Sequence, residues 1–573
     1  MTPKNIAGMA KRLFFLRHEK VALLLAGVLV GCCSGVAAAG LSFAIEHLWE
    51  LCAHAKHYWW VFVLPGVGAA LSSLFLNKIV REGAGHGVPE IIYAVSRRGG
   101  LLRFRSSFSR LVSSCLTIGS GGSAGPEAPV VMSGSAIGSN IAQRLGFPAR
   151  HRITLVGCGA AAAIASIFNA PIAGIVFTLE VVLGEWTAVN VIPIGVASVA
   201  GTQVGRLLMG NSIRFSHTHF SPGTWDIAAA FGLALATALI SVALSRMIRS
   251  SGKVWGKLPA SKMSRAFVGG ACVGLVGLFF PQVLGEGYNQ IYSLIHGQYS
   301  PGLMLLCAIL GLKMLVTATT LGSGGSGGIF APGLVVGSFT GVAYFRLLSL
   351  MFDVTPLAPE GCYALLGMAG IMGGMLQAPL TGLFLVVDIT SGYEVILPLI
   401  VVSLVSSSVC RYFESDSFYL KDLKAEGGLI RPGTDERVLE DLQVSEVLEH
   451  NLIPLNNHMT LADLVGQVKS SQRNHFPVLD VKTSEFLGMI DLAKVRPYLF
   501  NRELYGTVLV VDIMDHFPPA VSPDERLTDV LELMDRIQAF SLPVISGKRF
   551  LGMVSKGTLL DHYRRELIVQ TTY

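Results

Sequence analysis

An eleven-residue glycine-rich phrase occurs twice in this chain, 203 positions apart: GSGGSAGPEAP at 119–129 and GSGGSGGIFAP at 322–332, identical at eight positions. The echo extends further. NAPIAG at Asn169 answers QAPLTG at Gln377, and GHG at Gly85 answers GEG at Gly285. Both copies lie in apolar sequence, so the chain reads as two related membrane halves. Duplicated halves place a site near the bilayer midplane, where helices stop partway and point their ends at it.

At 573 residues the chain is long enough for several domains, but 51% hydrophobic and only 14% charged residues exclude an ordinary soluble protein. Mean hydropathy is +0.56. Apolar stretches recur at 21–43, 59–76, 191–208, 267–280, 303–315 and 395–405. Several are shorter than the roughly 20 residues of a full span, which predicts tilted or half-crossing helices packed beside protein or water. Lys4, Lys11, Arg12, Arg17 and Lys20 form a basic arm over 1–20. They predict a cytoplasmic N-terminus in the plasma (inner) membrane, and no cleavable signal peptide is read. Nine cysteines, from Cys32 to Cys410, show no C-x-x-C spacing and read as small packing residues without metal or redox chemistry. The net charge of +6 reflects orientation in the membrane, not nucleic-acid binding.

After Tyr419 the sequence becomes charged, and no run long enough to span follows. This cytoplasmic region has its own repeat: HFPVLD at His475 answers SLPVI at Ser541, and FLGMID at Phe486 answers FLGMVS at Phe550, within offsets of 64 to 67 residues. Each unit reads as a helix, two short strands joined by a turn, and a second helix. The pattern resembles a tandem pair of CBS domains, at 440–500 and 506–567 after a linker at 426–439. That resemblance requires no cofactor and allows an adenine nucleotide at the pair. Ribose-gripping units of that kind carry Ser or Thr and, three residues on, Asp; here the second unit has Ser555 and Thr558 and the first Asp491 and Lys494, so neither offers both groups, and a structural or dimer-supporting role is the alternative.

A lone glycine-rich loop packs membrane helices, and a loose G-x-G-x-x-G match at Gly119 or Gly322 lacks the acidic residue and strand–helix setting of a dinucleotide site. What distinguishes these two phrases is that each ends in a proline at the start of an apolar helical stretch. Proline there is preorganised for the first helical turn. A helix N-terminus then faces the midplane, and its free N–H groups and partial positive charge attract an anion. Two such ends, without a fixed Lys or Arg, make a weak site suited to conduction.

Over roughly 20–425 the chain resembles the CLC family of chloride channels and chloride/proton antiporters. The motifs that carry the likeness are GHGVPE at Gly85, GPEAP at Gly125, GGIFAP at Gly327 and SDSFYL at Ser415. The resemblance implies an all-α polytopic membrane domain over 21–425, made of two inverted-repeat halves with broken helices and joined to the C-terminal α/β CBS pair. It also implies a homodimer with one pore per subunit, and transport of chloride or a similar small anion across the lipid bilayer. Transferred onto this chain, Glu127 is the gate, whose carboxylate imitates the anion until protonation frees the path. His86, Gly87, Gly125, Ala128, Gly328, Ile329, Phe330 and Tyr419 line the anion site.

Two positions depart from the family pattern. His86 stands where the family carries a serine, which leaves the preferred anion open among chloride, nitrate and other anions; the alternative is that His86 points away and satisfies backbone carbonyls. Val181, after Glu180 in VFTLEVV, stands where antiporters carry an internal acidic proton acceptor. A proton pathway beyond Glu127 then has to rely on water, which favours a passive channel, with a chloride/proton antiporter as the alternative. Glu180 lines up with Asp388 in the other half, and a paired structural role is expected for both.

Overall fold

The computed structural model of the chain describes residues 19–54, 59–81, 87–211, 215, 219–352, 354–425, 444–449, 452–471, 473–483 and 485–562. Two compact units comprise Met1–Leu429 and Ile430–Tyr573. The basic arm, apart from Glu19 and Lys20, and the linker lie outside the described residues.

In the membrane unit the first half runs α1 (Glu19–Ala53), α2 (Leu64–Leu74), α3 (Val88–Arg97), α4 (Ser106–Gly119), α5 (Glu127–Leu145), α6 (Ala149–Phe168), α7 (Pro171–Phe177) and α8 (Ala188–Met209). The second half repeats this order as α9 (Thr224–Lys257), α10 (Lys262–Phe279), α11 (Tyr288–Ile295), α12 (Leu303–Ser323), α13 (Phe330–Met351), α14 (Glu360–Leu376), α15 (Pro379–Thr390) and α16 (Ile396–Phe413), followed by α17 (Leu420–Ala425). Among the described residues, nine helical stretches are long and apolar enough to cross a membrane; Pro171–Leu183, Glu360–Leu376 and Pro379–Thr390 are shorter.

The halves meet across a pseudo-two-fold axis. Ser123 N donates to Thr320 Oγ1 at 3.2 Å and Ser326 N donates to Thr117 Oγ1 at 3.1 Å. Each pair becomes the other on adding or subtracting the repeat offset, which is the mark of a self-complementary contact. Within each half one crossing depends on small residues. A methyl on Gly134 would stand 2.2 Å from Gly159 O, and its mirror on Gly337 would stand 2.6 Å from Gly367 O. Backbones approach this closely in membranes because packing and polar contacts, rather than water exclusion, hold the helices together.

The paired role expected of Glu180 and Asp388 takes the form of crossed helix caps. Glu180 follows α7 and accepts from Leu380 N (3.2 Å), Thr381 N (2.7 Å) and Thr381 Oγ1 (2.7 Å) at the start of α15. Asp388, on α15, accepts from Ile172 N (2.8 Å) and Ala173 N (3.0 Å) at the start of α7. First-turn N–H groups have no partner within their own helix, so each half supplies the acid that the other half's helix lacks.

The second unit has the predicted repeat. β1 (Leu455–Asn456), α18 (Leu461–Ser470), β2 (His475–Leu479), β3 (Phe486–Asp491) and α19 (Leu492–Leu499) are followed by α20 (Val510–Ile513), α21 (Leu527–Arg536), β4 (Ser541–Ser546) and β5 (Arg549–Ser555). Both hairpins are antiparallel and carry an irregularity at matching places, Val478/Leu479 and Val544/Ile545. The short β1, parallel to β2, was not anticipated because two residues are too few to show alternation. Each unit's lead-in pairs with the other unit's hairpin, Glu449 with Met553 and Asp515 with Met489.

Candidate anion pathway

The two glycine-rich phrases end against each other. Gly125 N donates to Gly328 O at 2.8 Å, and Gly328 N donates to Gly125 O at 2.6 Å. Immediately beyond, α5 starts at Glu127 and α13 at Phe330, with Pro129 and Pro332 each third in its helix. The helical ladders begin only with Val130 N to Pro126 O (3.1 Å) and Gly333 N to Ile329 O (2.9 Å). The N–H groups of Glu127, Ala128, Phe330 and Ala331 therefore stand at two helix starts, both buried. This is the electropositive geometry that the sequence predicts.

Glu127 is fully buried. A methyl on Gly125 would stand 2.0 Å from Glu127 Oε2 and 3.0 Å from Ala331 N, so the carboxylate folds back over Gly125 toward the start of α13. Only glycine leaves that space. Tyr288, the first residue of α11, donates its hydroxyl to Glu127 Oε1. Tyr419 is 1% exposed and close enough to feel the charge of Glu127; its hydroxyl finds no protein partner among the described residues. Phe330 packs edge-on against Phe177, with centroids 5.3 Å apart. Gly87 caps α3 with φ 80°, and a methyl there would stand 3.3 Å from Ala128 O. Gly87, Gly125, Glu127, Ala128, Gly328, Ile329, Phe330 and Tyr419 thus gather in one region, while His86 lies outside the described residues.

The segment carrying Tyr419 is fastened by a group that sequence reading missed. Glu414 follows α16 and meets Arg246 Nε at 2.6 Å, Arg249 Nη1 at 3.5 Å and Lys421. Burial opposes its ionisation, but Lys421 and Arg246 outweigh it and push the carboxyl down to about 2. Gln377 Nε2 donates to Glu414 O at 2.7 Å and Phe418 N donates to Met375 O at 3.2 Å, tying the segment to the end of α14. An acid directly after an apolar run, between Arg411 and Lys421, was the available signal. Val181 packs half-buried on the apolar core, and its neighbour Glu180 is engaged as a cap.

In the second unit, Ser555 and Thr558 do come together, with hydroxyls 3.1 Å apart. Both donate to Glu449, which also meets Arg473. In the first unit the matching Lys494 meets Asp515 at 3.1 Å. An internal acid thus engages the residues that follow each hairpin, Glu449 on Ser555 and Thr558 and Asp515 on Lys494.

Two buried helix starts with a carboxylate lying between them suit an anion-transporting membrane protein. The chain belongs to the family described as voltage gated chloride channel, whose profile matches residues 68–411; a CBS domain profile matches 510–565. It is 28% identical over 419 residues to a "Putative chloride channel protein ClcB-like" of Ralstonia nicotianae, covering 70% of this chain and 96% of that one. It is 29% identical over 353 residues to the "H(+)/Cl(-) exchange transporter ClcA" of Vibrio cholerae, covering 60% and 74%. Among solved structures, a "slow cyanobacterial Cl-/H+ antiporter" superimposes with TM-score 0.66 at 25% identity, covering 70% of this chain and 97% of that one. A "eukaryotic CLC transporter" with TM-score 0.63 at 18% identity covers 94% and 98% and shares the fold.

Proposed function

We propose that the chain exchanges chloride for protons, with Glu127 alternately occupying the anion site as a carboxylate and leaving it when protonated. The observation that carries this reading is the buried Glu127 carboxylate, folded over Gly125 toward the N–H groups that begin α13. An ionised side chain at membrane depth is costly and is by default functional. Names of relatives and of the cyanobacterial structure favour exchange over the passive channel expected from Val181. The channel remains the second reading because Val181 cannot carry a proton and Glu180 is committed to the start of α15.

The reading extends to a homodimer with one pathway per subunit, in a plasma or inner membrane with both termini cytoplasmic. The CBS pair has a structural or dimer-supporting role, and an adenine nucleotide would have to displace Glu449 to reach Ser555 and Thr558. The deciding measurement is the reversal potential of reconstituted protein under a pH gradient. Exchange moves it away from the chloride equilibrium potential; a value that ignores the gradient means a channel.

A further inference from the structure

The GEG phrase at 285–287 mirrors GHG at 85–87, yet the anion site described above makes no use of it. Gly287 caps α11 as Gly87 caps α3, with φ 86° and 80°. The next residue differs: a buried Val88 in the first half, Tyr288 in the second. The mirror loop is itself anchored by a buried lysine. Lys313, on α12, is fully buried and donates from Nζ to Val283 O (3.0 Å) and Gly285 O (2.9 Å). A buried lysine nitrogen that satisfies two loop carbonyls fixes the backbone just ahead of Gly287. The Tyr288 ring is held edge-on by Phe168 at 6.4 Å and Phe215 at 5.7 Å. From that position its hydroxyl donates to Glu127 Oε1, and the same side chain lines a cavity of ≈ 460 Å³ bordered by Pro126, Glu46 and Glu286.

We propose that Tyr288 is the latch of the gate: its hydroxyl holds the ionised Glu127 carboxylate across the anion path, from a ring set by Phe168, Phe215 and the Lys313-anchored loop. The proposal rests on reading Glu127 as the gate. A hydrogen bond to a charged acceptor is roughly twice as strong as one to a neutral acceptor, so protonation of Glu127 loosens the latch. Among the described residues, the other titratable groups are Tyr419 near Glu127, Glu46 from α1 and Glu286 from the mirror loop on the cavity that Tyr288 lines, and Lys313 behind that loop.

Chloride efflux from liposomes at neutral and acidic pH tests the latch with wild type, Tyr288→Phe, Glu127→Ala and the double variant. Tyr288→Phe is expected to raise efflux at neutral pH about tenfold or more, the factor a hydrogen bond to a charged group supplies, and to change acidic efflux little. The double variant should match Glu127→Ala. Unchanged neutral efflux in Tyr288→Phe, or the same factor appearing without Glu127, overturns the latch. Persistent pH dependence in Glu127→Ala would instead overturn the gate. Calorimetric titration of detergent-purified protein with chloride gives a second readout. Tyr288→Phe should bind chloride more tightly, because its carboxylate competes less, and equal affinity overturns the proposal.

Discussion

Glu180 and Asp388 each cap the helix start that belongs to the other half, so the two acids act as a crossed pair joining α7 and α15. Replacing either with Ala leaves at least two first-turn N–H groups without their acceptor. A loss of about 1–3 kcal/mol is expected from each, read as a lower unfolding temperature in detergent. The two losses should be similar, and proton coupling should persist in protein that remains folded. A large effect from one acid alone would contradict the crossed arrangement.

Glu127→Ala should abolish the pH dependence of chloride efflux, because no carboxylate then remains to occupy the anion site. Glu127→Gln should behave like a permanently protonated gate. Efflux from liposomes over a range of pH measures both. Retained pH dependence in the two variants would mean that the titrating group lies elsewhere.

The Glu414 clasp should outlast acid opening of the gate. Its carboxyl lies at about 2, below the ordinary glutamate value of about 4.3. A depressed value contributes stability that is fully present above the ordinary range and is lost as pH falls through about 2. Hydrogen exchange of residues 414–421 should therefore stay slow through mild acidification. Glu414→Gln should make it fast already at neutral pH.

Glu449 titrates in the same sense. Burial opposes its charge, but Ser555, Thr558 and Arg473 outweigh it and hold the carboxyl below the usual glutamate range. The stability it contributes is present above a pH of about 4.3 and falls away on acidification through the lowered value. Glu449→Ala should loosen β5 at neutral pH, seen as faster exchange over 549–555. It should also strengthen adenine nucleotide binding, measured by calorimetry on the full chain. Equal nucleotide binding by wild type and variant would show that Glu449 does not guard Ser555 and Thr558.

The architecture was legible because a phrase repeated at fixed offset constrains both halves at once, and because Pro129 and Pro332 mark where helices begin. The meeting of Glu127, Gly125 and Gly328 was legible for the same reason: the two helix starts that bring them together are dictated by local sequence. Tyr288, Lys313, Glu414 and Glu449 were not. Each acts across more than a hundred residues or through a partner that no local pattern names, as Tyr288 does on Glu127, 161 residues away. GEG was visible as the mirror of GHG, but only coordinates show that the residue after it reaches the carboxylate.

Neither glycine-rich phrase can finish its own backbone. Gly125 and Gly328 each offer one donor and one acceptor to the other, so a solitary half would leave both groups bare where water does not reach. The setting of Glu127 is therefore the property of a seam between the halves and of no single repeat.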